Sequence, residues 1–130
     1  MIWRANVVAS GLVHIVDDDA SFRSALERHL KQAGYDVATY ASAQHLVESL
    51  PSDTMSSCIL LDVLMPGLSG PDLQARLREL GSKLPIIFLS GYSDIPTTVR
   101  TIRAGAHDFL AKPVSSDELL SAIERGSRAA

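Results

Sequence analysis

The 130-residue sequence predicts a (βα)5 domain: a doubly wound, five-stranded parallel sheet with helices on both faces. Three observations predict it. Apolar runs such as Cys58-Ile59-Leu60-Leu61 lack the alternation of a half-solvated strand, so they read as strands covered on both sides. These runs alternate with amphipathic segments, and the alternation repeats five times, as in a parallel α/β sheet. The length, with 46% hydrophobic and 21% charged residues, suits one domain with a substantial core and leaves no room for a second folded module.

Leu12 to Val16 is the first expected strand, followed by a helix over Ala20 to Ala33 with Phe22, Leu26, Leu30 and Ala33 inward and Gly34 as its stop. Asp36 to Tyr40 alternates weakly and suits an edge strand; Ser42 then caps a short helix whose inner face is Ala43, Leu46, Val47 and Leu50. Pro51 to Ser56 reads as a polar loop. The central apolar run stops at Asp62, because Met65-Pro66-Gly67 continues neither a strand nor a helix. Gly70 to Leu80 predicts a third helix with Leu73, Leu77 and Leu80 inward and Gly81 as its end. Ile86 to Leu89 is the fourth strand, ending at Ser90, and Asp94 caps a helix closed by Gly105. Asp108 to Ala111 is the fifth strand, ending at Lys112-Pro113, and Ser115 caps a last helix with Leu119, Leu120 and Ile123 inward.

Residues 1–11 read as an N-terminal leader, expected to be disordered, and residues 12–128 as the domain. Arg4, Asn6 and Ser10 interrupt the leader's apolar residues, so neither a signal peptide nor a membrane span is expected, and Trp3 is assigned no binding role. A formal net charge of -3 argues against nucleic-acid contact by this chain. Cys58, the sole cysteine, lies inside an apolar run; it allows no internal disulfide and suits a reducing cytoplasm. His14, His29, His45 and His107 share no face and show no ligand spacing, which favours structural or solvated roles.

The polar residues that matter follow strand ends. Asp17, Asp18 and Asp19 follow the first strand, Asp62 ends the third, Ser90 the fourth and Lys112 the fifth, so all fall on one edge of the sheet. With right-handed crossovers and the common flavodoxin-like order 2-1-3-4-5, the first and third strands are neighbours, and Asp17 and Asp18 face Asp62. Three such carboxylates must hold protons or bind a cation. Mg²⁺ (or Mn²⁺) fits best, with the Leu64 backbone carbonyl as a further ligand and positions left for a phosphoryl group. Asp62 can then attack phosphorus, Lys112 can balance charge on the phosphoryl oxygens and the Ser90 hydroxyl can donate to one of them. Asp19 is also read as a helix cap.

In these features the sequence resembles the receiver domain of a two-component response regulator, from about Leu12 to Arg125. The resemblance rests on Val16-Asp17-Asp18-Asp19, on Leu61-Asp62-Val63-Leu64-Met65-Pro66-Gly67-Leu68-Ser69-Gly70, on Leu89-Ser90-Gly91 and on Ala111-Lys112-Pro113. It implies that Asp62 accepts phosphate from the phosphohistidine of a sensor histidine kinase, that Asp17 and Asp18 hold Mg²⁺, and that Ser90 and Lys112 contact the phosphoryl group. It also implies a cis bond before Pro113 and an aromatic switch at Phe109. Gly91-Tyr92-Ser93-Asp94-Ile95-Pro96 and Ala104-Gly105-Ala106-His107-Asp108-Phe109 look most like the FixJ-type branch, which usually carries a LuxR-type DNA-binding output. No output module is present, so the chain is expected to be an excised receiver, with a stand-alone phosphorelay shuttle as the alternative.

Phosphorylation would draw the Ser90 loop inward, let Phe109 fill the vacated space and alter the face made by the helix from Asp94, the strand from Asp108 and the helix from Ser115, a candidate homodimer face. Leu64 and Tyr92 are expected to flank the path of hydrolytic water and prolong the phosphoryl lifetime. The chain is expected to catalyse only its own phosphorylation and dephosphorylation. Three rivals fit less well. A Mg²⁺-dependent phosphatase with an Asp nucleophile would need a carboxylate where Leu64 stands, and a flavin carrier would need a phosphate-cradling loop where Asp17, Asp18 and Asp19 stand. A pure interaction module of this fold would not need the site residues.

Overall fold

A computed structural model describes residues 11–49, 56–62, 70–90, 108–111 and 115–129. Chain order runs β1 (Leu12–Val16), α1 (Ala20–Gln32), β2 (Asp36–Tyr40), α2 (Ala43–Ser49), β3 (Ser56–Asp62), α3 (Gly70–Glu79), β4 (Ile86–Ser90), β5 (Asp108–Ala111) and α4 (Ser116–Ala129). All strand pairs are parallel, in the order β2-β1-β3-β4-β5. This is the expected sheet, with β2 on the expected edge. The helix expected from Asp94 to Gly105 and the leader lie outside the described residues.

The continuous apolar runs are explained by cover on both faces. In β3, Cys58 and Leu60 pack with Val13 and Ile15 of β1 against α1 and α4, whereas Ile59 and Leu61 pack with Val16 against α2 and α3. Each such Leu or Ile contributes roughly 1.5–3 kcal/mol by leaving water, so the central strands anchor both layers. Right-handed crossovers account for the division. The chain steps one way from β1 to β2 and the other way from β2 onwards, which places α1 on the opposite face from α2 and α3. Burial pushes the Cys58 thiol up to about 12, so it stays a neutral core group.

The helix ends follow local chemistry. Ser42 Oγ accepts from His45 N at 3.3 Å before α2, and Ser115 Oγ accepts from Glu118 N at 3.2 Å while donating to Glu118 Oε1 at 3.0 Å before α4. Gly34 (φ 100°) and Gly81 (φ 88°) close α1 and α3 in the left-handed conformation. Tyr35 N then donates to Leu30 O at 3.0 Å and Ser82 N to Leu77 O at 2.9 Å, capping the last carbonyls. This geometry corrects one expectation. Leu80 is not inward but 42% exposed; it follows Glu79, the last residue of α3, and precedes Gly81 at the helix end. β3 also starts at Ser56 rather than after it, through a bulge in which the register steps from Leu12–Ser56 to Val13–Cys58.

Gln74 breaks the pattern of α3. It is buried beside Leu73 and Leu77, and neither side-chain amide atom has a hydrogen-bond partner among the described residues. A buried amide without a partner is destabilising, so Gln74→Leu is expected to raise stability by about 1–2 kcal/mol, seen as a higher urea midpoint at unchanged slope. A lower midpoint would mean that the amide is satisfied in solution.

Candidate functional site

The site is built at the carboxyl ends of adjacent strands. Val16 at the end of β1 pairs with Leu61 of β3, so the residues that follow, Asp17 and Asp62, leave the sheet side by side. Asp18 turns with Asp17 towards α1. One oxygen from each of Asp17, Asp18 and Asp62 lies within 4.8 Å of the other two. Asp17 and Asp62 are buried and Asp18 is exposed, so the cluster opens to solvent on one side.

Hydrogen bonds divide the three consecutive aspartates by role. Asp19 is a helix cap, with Oδ1 accepting from Ser21 N at 3.0 Å and Phe22 N at 3.2 Å. Asp17 is held at its amide, side chain and carbonyl: its N–H donates to the Tyr40 carbonyl at 3.2 Å, its Oδ1 accepts from Asp19 N at 2.9 Å, and its carbonyl accepts from Arg23 Nη1 at 2.6 Å. Asp17 and Asp18 are therefore drawn together with Asp62 as expected, while Asp19 stands apart. A hard divalent cation would relieve the repulsion among three closely placed carboxylate oxygens, and this all-oxygen donor set is suited to one.

Sequence reasoning missed Tyr40 and Arg23. Tyr40 fixes Asp17 through its backbone, and its hydroxyl lies 3.0 Å from Nδ1 of the buried His14, with the rings stacked at 5.8 Å and 28°. Burial holds the His14 imidazole below its usual pKa and the Tyr40 phenol above its own. His14 is thus a structural histidine. Periodicity carries no signal for the Tyr40 contact, but Arg23 had one: it is a cation in the first turn of α1, where the helix dipole disfavours positive charge.

Ser90 ends β4, one residue past Leu89, which pairs with Asp62; Ser90 itself pairs with Ala111, the last residue of β5. Phe109 lies in β5 opposite Phe88. Leu64, Tyr92, Lys112 and Pro113 fall outside the described residues.

A parallel sheet of order β2-β1-β3-β4-β5, with a triad of carboxylates at the point where strand order reverses, defines a flavodoxin-like domain with an acidic cluster at its switch point. Residues 13–124 match the response regulator receiver domain. The chain belongs to this family, the phosphoacceptor domains of two-component signalling. It is 44% identical over 112 residues to nodulation protein W of Bradyrhizobium diazoefficiens, covering 86% of this chain and 49% of that protein. It is 41% identical over 114 residues to the response regulator protein TodT of Pseudomonas putida, covering 88% of this chain and 50% of that protein. Full-length FixJ from B. japonicum superposes with a TM-score of 0.85 at 37% identity, over 91% of this chain and 58% of FixJ, in keeping with the FixJ-type likeness. The chain spans about half the length of the first two relatives. No helix among the described residues is long and apolar enough to cross a membrane.

Proposed function

We propose that this receiver takes a phosphoryl group from the phosphohistidine of a sensor histidine kinase onto Asp62. The observation that supports it best is the convergence of Asp17, Asp18 and Asp62 within 4.8 Å, two of them buried. Asp17, Asp18, Asp62 and the Leu64 carbonyl would hold Mg²⁺ or Mn²⁺, which when bound supplies positive charge against the carboxylates and the incoming phosphoryl oxygens. A carboxylate oxygen of Asp62 forms the new bond to phosphorus, the P–N bond breaks, and the imidazole nitrogen leaves with the electron pair. Lys112 balances charge on the phosphoryl oxygens, and the Ser90 hydroxyl donates to one of them. The work of the protein is positioning, since the reaction needs no further acid or base from the site.

The new dianion then favours conformations that bring Ser90 inward and let Phe109 fill the space it leaves, biasing the face that includes β5 and α4. That face would pair two receivers and pass the signal to a DNA-binding output on a longer polypeptide, in line with the name of one relative, transcriptional regulatory protein FixJ. Leu64 and Tyr92 shield the phosphoryl group from in-line water, and Leu64→Asn is expected to speed its loss several-fold in the purified, phosphorylated chain. An unchanged half-life would remove Leu64 from that role.

The reading is tested by incubating the chain with Mg²⁺ and acetyl phosphate and measuring intact mass. One added phosphoryl supports it. Steady turnover of an external phosphoester without a labelled chain would favour an Asp-nucleophile phosphatase.

A further inference from the structure

Arg23 is the charged residue in the first turn of α1, a turn that carries no acidic residue. A cation there opposes the partial positive charge of the helix N-terminus, so some other contact must compensate. That contact is a charge-assisted hydrogen bond of 2.6 Å from Nη1 to the Asp17 carbonyl. Among the described residues Arg23 closes no ion pair; its guanidinium reaches back along the helix to a backbone oxygen instead.

The Asp17 carbonyl is not an arbitrary acceptor. It belongs to the planar peptide that joins Asp17 to Asp18, so fixing its direction fixes the plane from which both residues project. The bond from Asp19 N to Asp17 Oδ1 closes a ring that contains this same peptide, and Arg23 holds the peptide from its carbonyl side, so the two bonds together define its plane. We propose that Arg23 is a positioning residue for the cation site, setting two of its three carboxylates through one peptide plane. The inference rests on the reading of Asp17, Asp18 and Asp62 as a divalent-cation site.

Two effects of Arg23 on cation binding have opposite sign, which makes the inference testable. As a charge it repels the cation, but it is only half-buried, so water and salt screen it. As a donor it holds the ligands in place, and partners of this kind typically alter metal affinity by about 10- to 100-fold. Positioning should win.

The measurement is Mn²⁺ affinity of the full chain by electron paramagnetic resonance of the free ion, with the melting temperature recorded in parallel. Arg23→Met keeps the apolar stem and loses donor and charge; it is expected to bind Mn²⁺ about tenfold more weakly. Arg23→Lys retains a cationic donor and is expected to stay within about threefold of the parent. Arg23→Gln keeps an N–H donor without the charge, should bind more tightly than the Met variant, and serves as the second variant if that one does not fold. Unchanged or tighter binding in Arg23→Met overturns the proposal, as does a lower melting temperature with unaltered affinity, which would make Arg23 a helix contact only. Failure of the parent itself to bind Mn²⁺ would sink the cation-site reading, and the inference with it, whereas a parent that binds beside an indifferent Met variant sinks the inference alone.

Discussion

Asp62→Asn is expected to abolish phosphoryl uptake from acetyl phosphate, with no added mass at any incubation time, and to make the metal-free chain more resistant to heat. Both outcomes follow from the same geometry. A neutral amide oxygen is a poor nucleophile and cannot form the acyl phosphate, so the chemical loss is complete rather than partial. Asp62 is buried at the end of β3 within 4.8 Å of the Asp17 and Asp18 oxygens, so neutralising it removes repulsion from a poorly solvated place. With an effective dielectric constant near 20, two unit charges at this separation repel by roughly 3–4 kcal/mol before salt and solvent screen them, so the relief is on the order of a few kcal/mol at low salt. Asn is nearly isosteric with Asp, so packing should be preserved. Intact mass reads the first outcome and thermal melting in a chelator reads the second. A variant that still gains one phosphoryl would place the acceptor elsewhere, and one that melts lower would show Asp62 to be held by partners stronger than the repulsion it feels.

The fold was legible because the sheet is buried on both faces. Ile59, Leu60 and Leu61 form a run that a half-solvated strand would interrupt, and Asp62 ends it abruptly. The same logic exposed the acidic cluster: once β1 and β3 are neighbours, Asp17 and Asp62 must leave adjacent strand ends. What was not legible depends on side-chain reach across elements. Nothing in the spacing of residues 20–32 says that Arg23 turns back to the Asp17 carbonyl, or that Tyr40 of an edge strand meets His14. Leu80 shows the limit of periodicity at a helix end. Helical phase puts it with Leu73 and Leu77, yet it lies just past Glu79, the last residue of α3, and is exposed there. Gln74 is the reverse case, a polar residue whose type predicts exposure and whose place on α3 enforces burial.

The second large effect is expected for Asp18→Asn, and it separates binding from folding. Asp18 is the exposed member of the cluster, whereas Asp17 is built into the backbone through Tyr40, Asp19 and Arg23. Removing the charge at residue 18 should therefore leave the fold intact and weaken Mg²⁺ binding by about a hundredfold, since an ionised oxygen donor is replaced by a neutral one. Linkage makes this visible in stability. A ligand present at 100 times its dissociation constant adds about 2.7 kcal/mol to the folded state, and a hundredfold weaker site under the same conditions adds only about 0.4 kcal/mol. Thermal melts across a Mg²⁺ series should show a rising midpoint for the parent and a nearly flat line for Asp18→Asn, with the two chains alike in a chelator or the variant slightly the more stable. The comparison is demanding because each alternative moves a different curve. If the ion binds elsewhere, both chains rise in parallel; if Asp18 is merely a residue of the α1 approach, the variant's midpoint drops without Mg²⁺ and rises with it by the full amount. Only a site in which Asp18 donates a ligand oxygen gives a variant that is sound without the ion and indifferent to it.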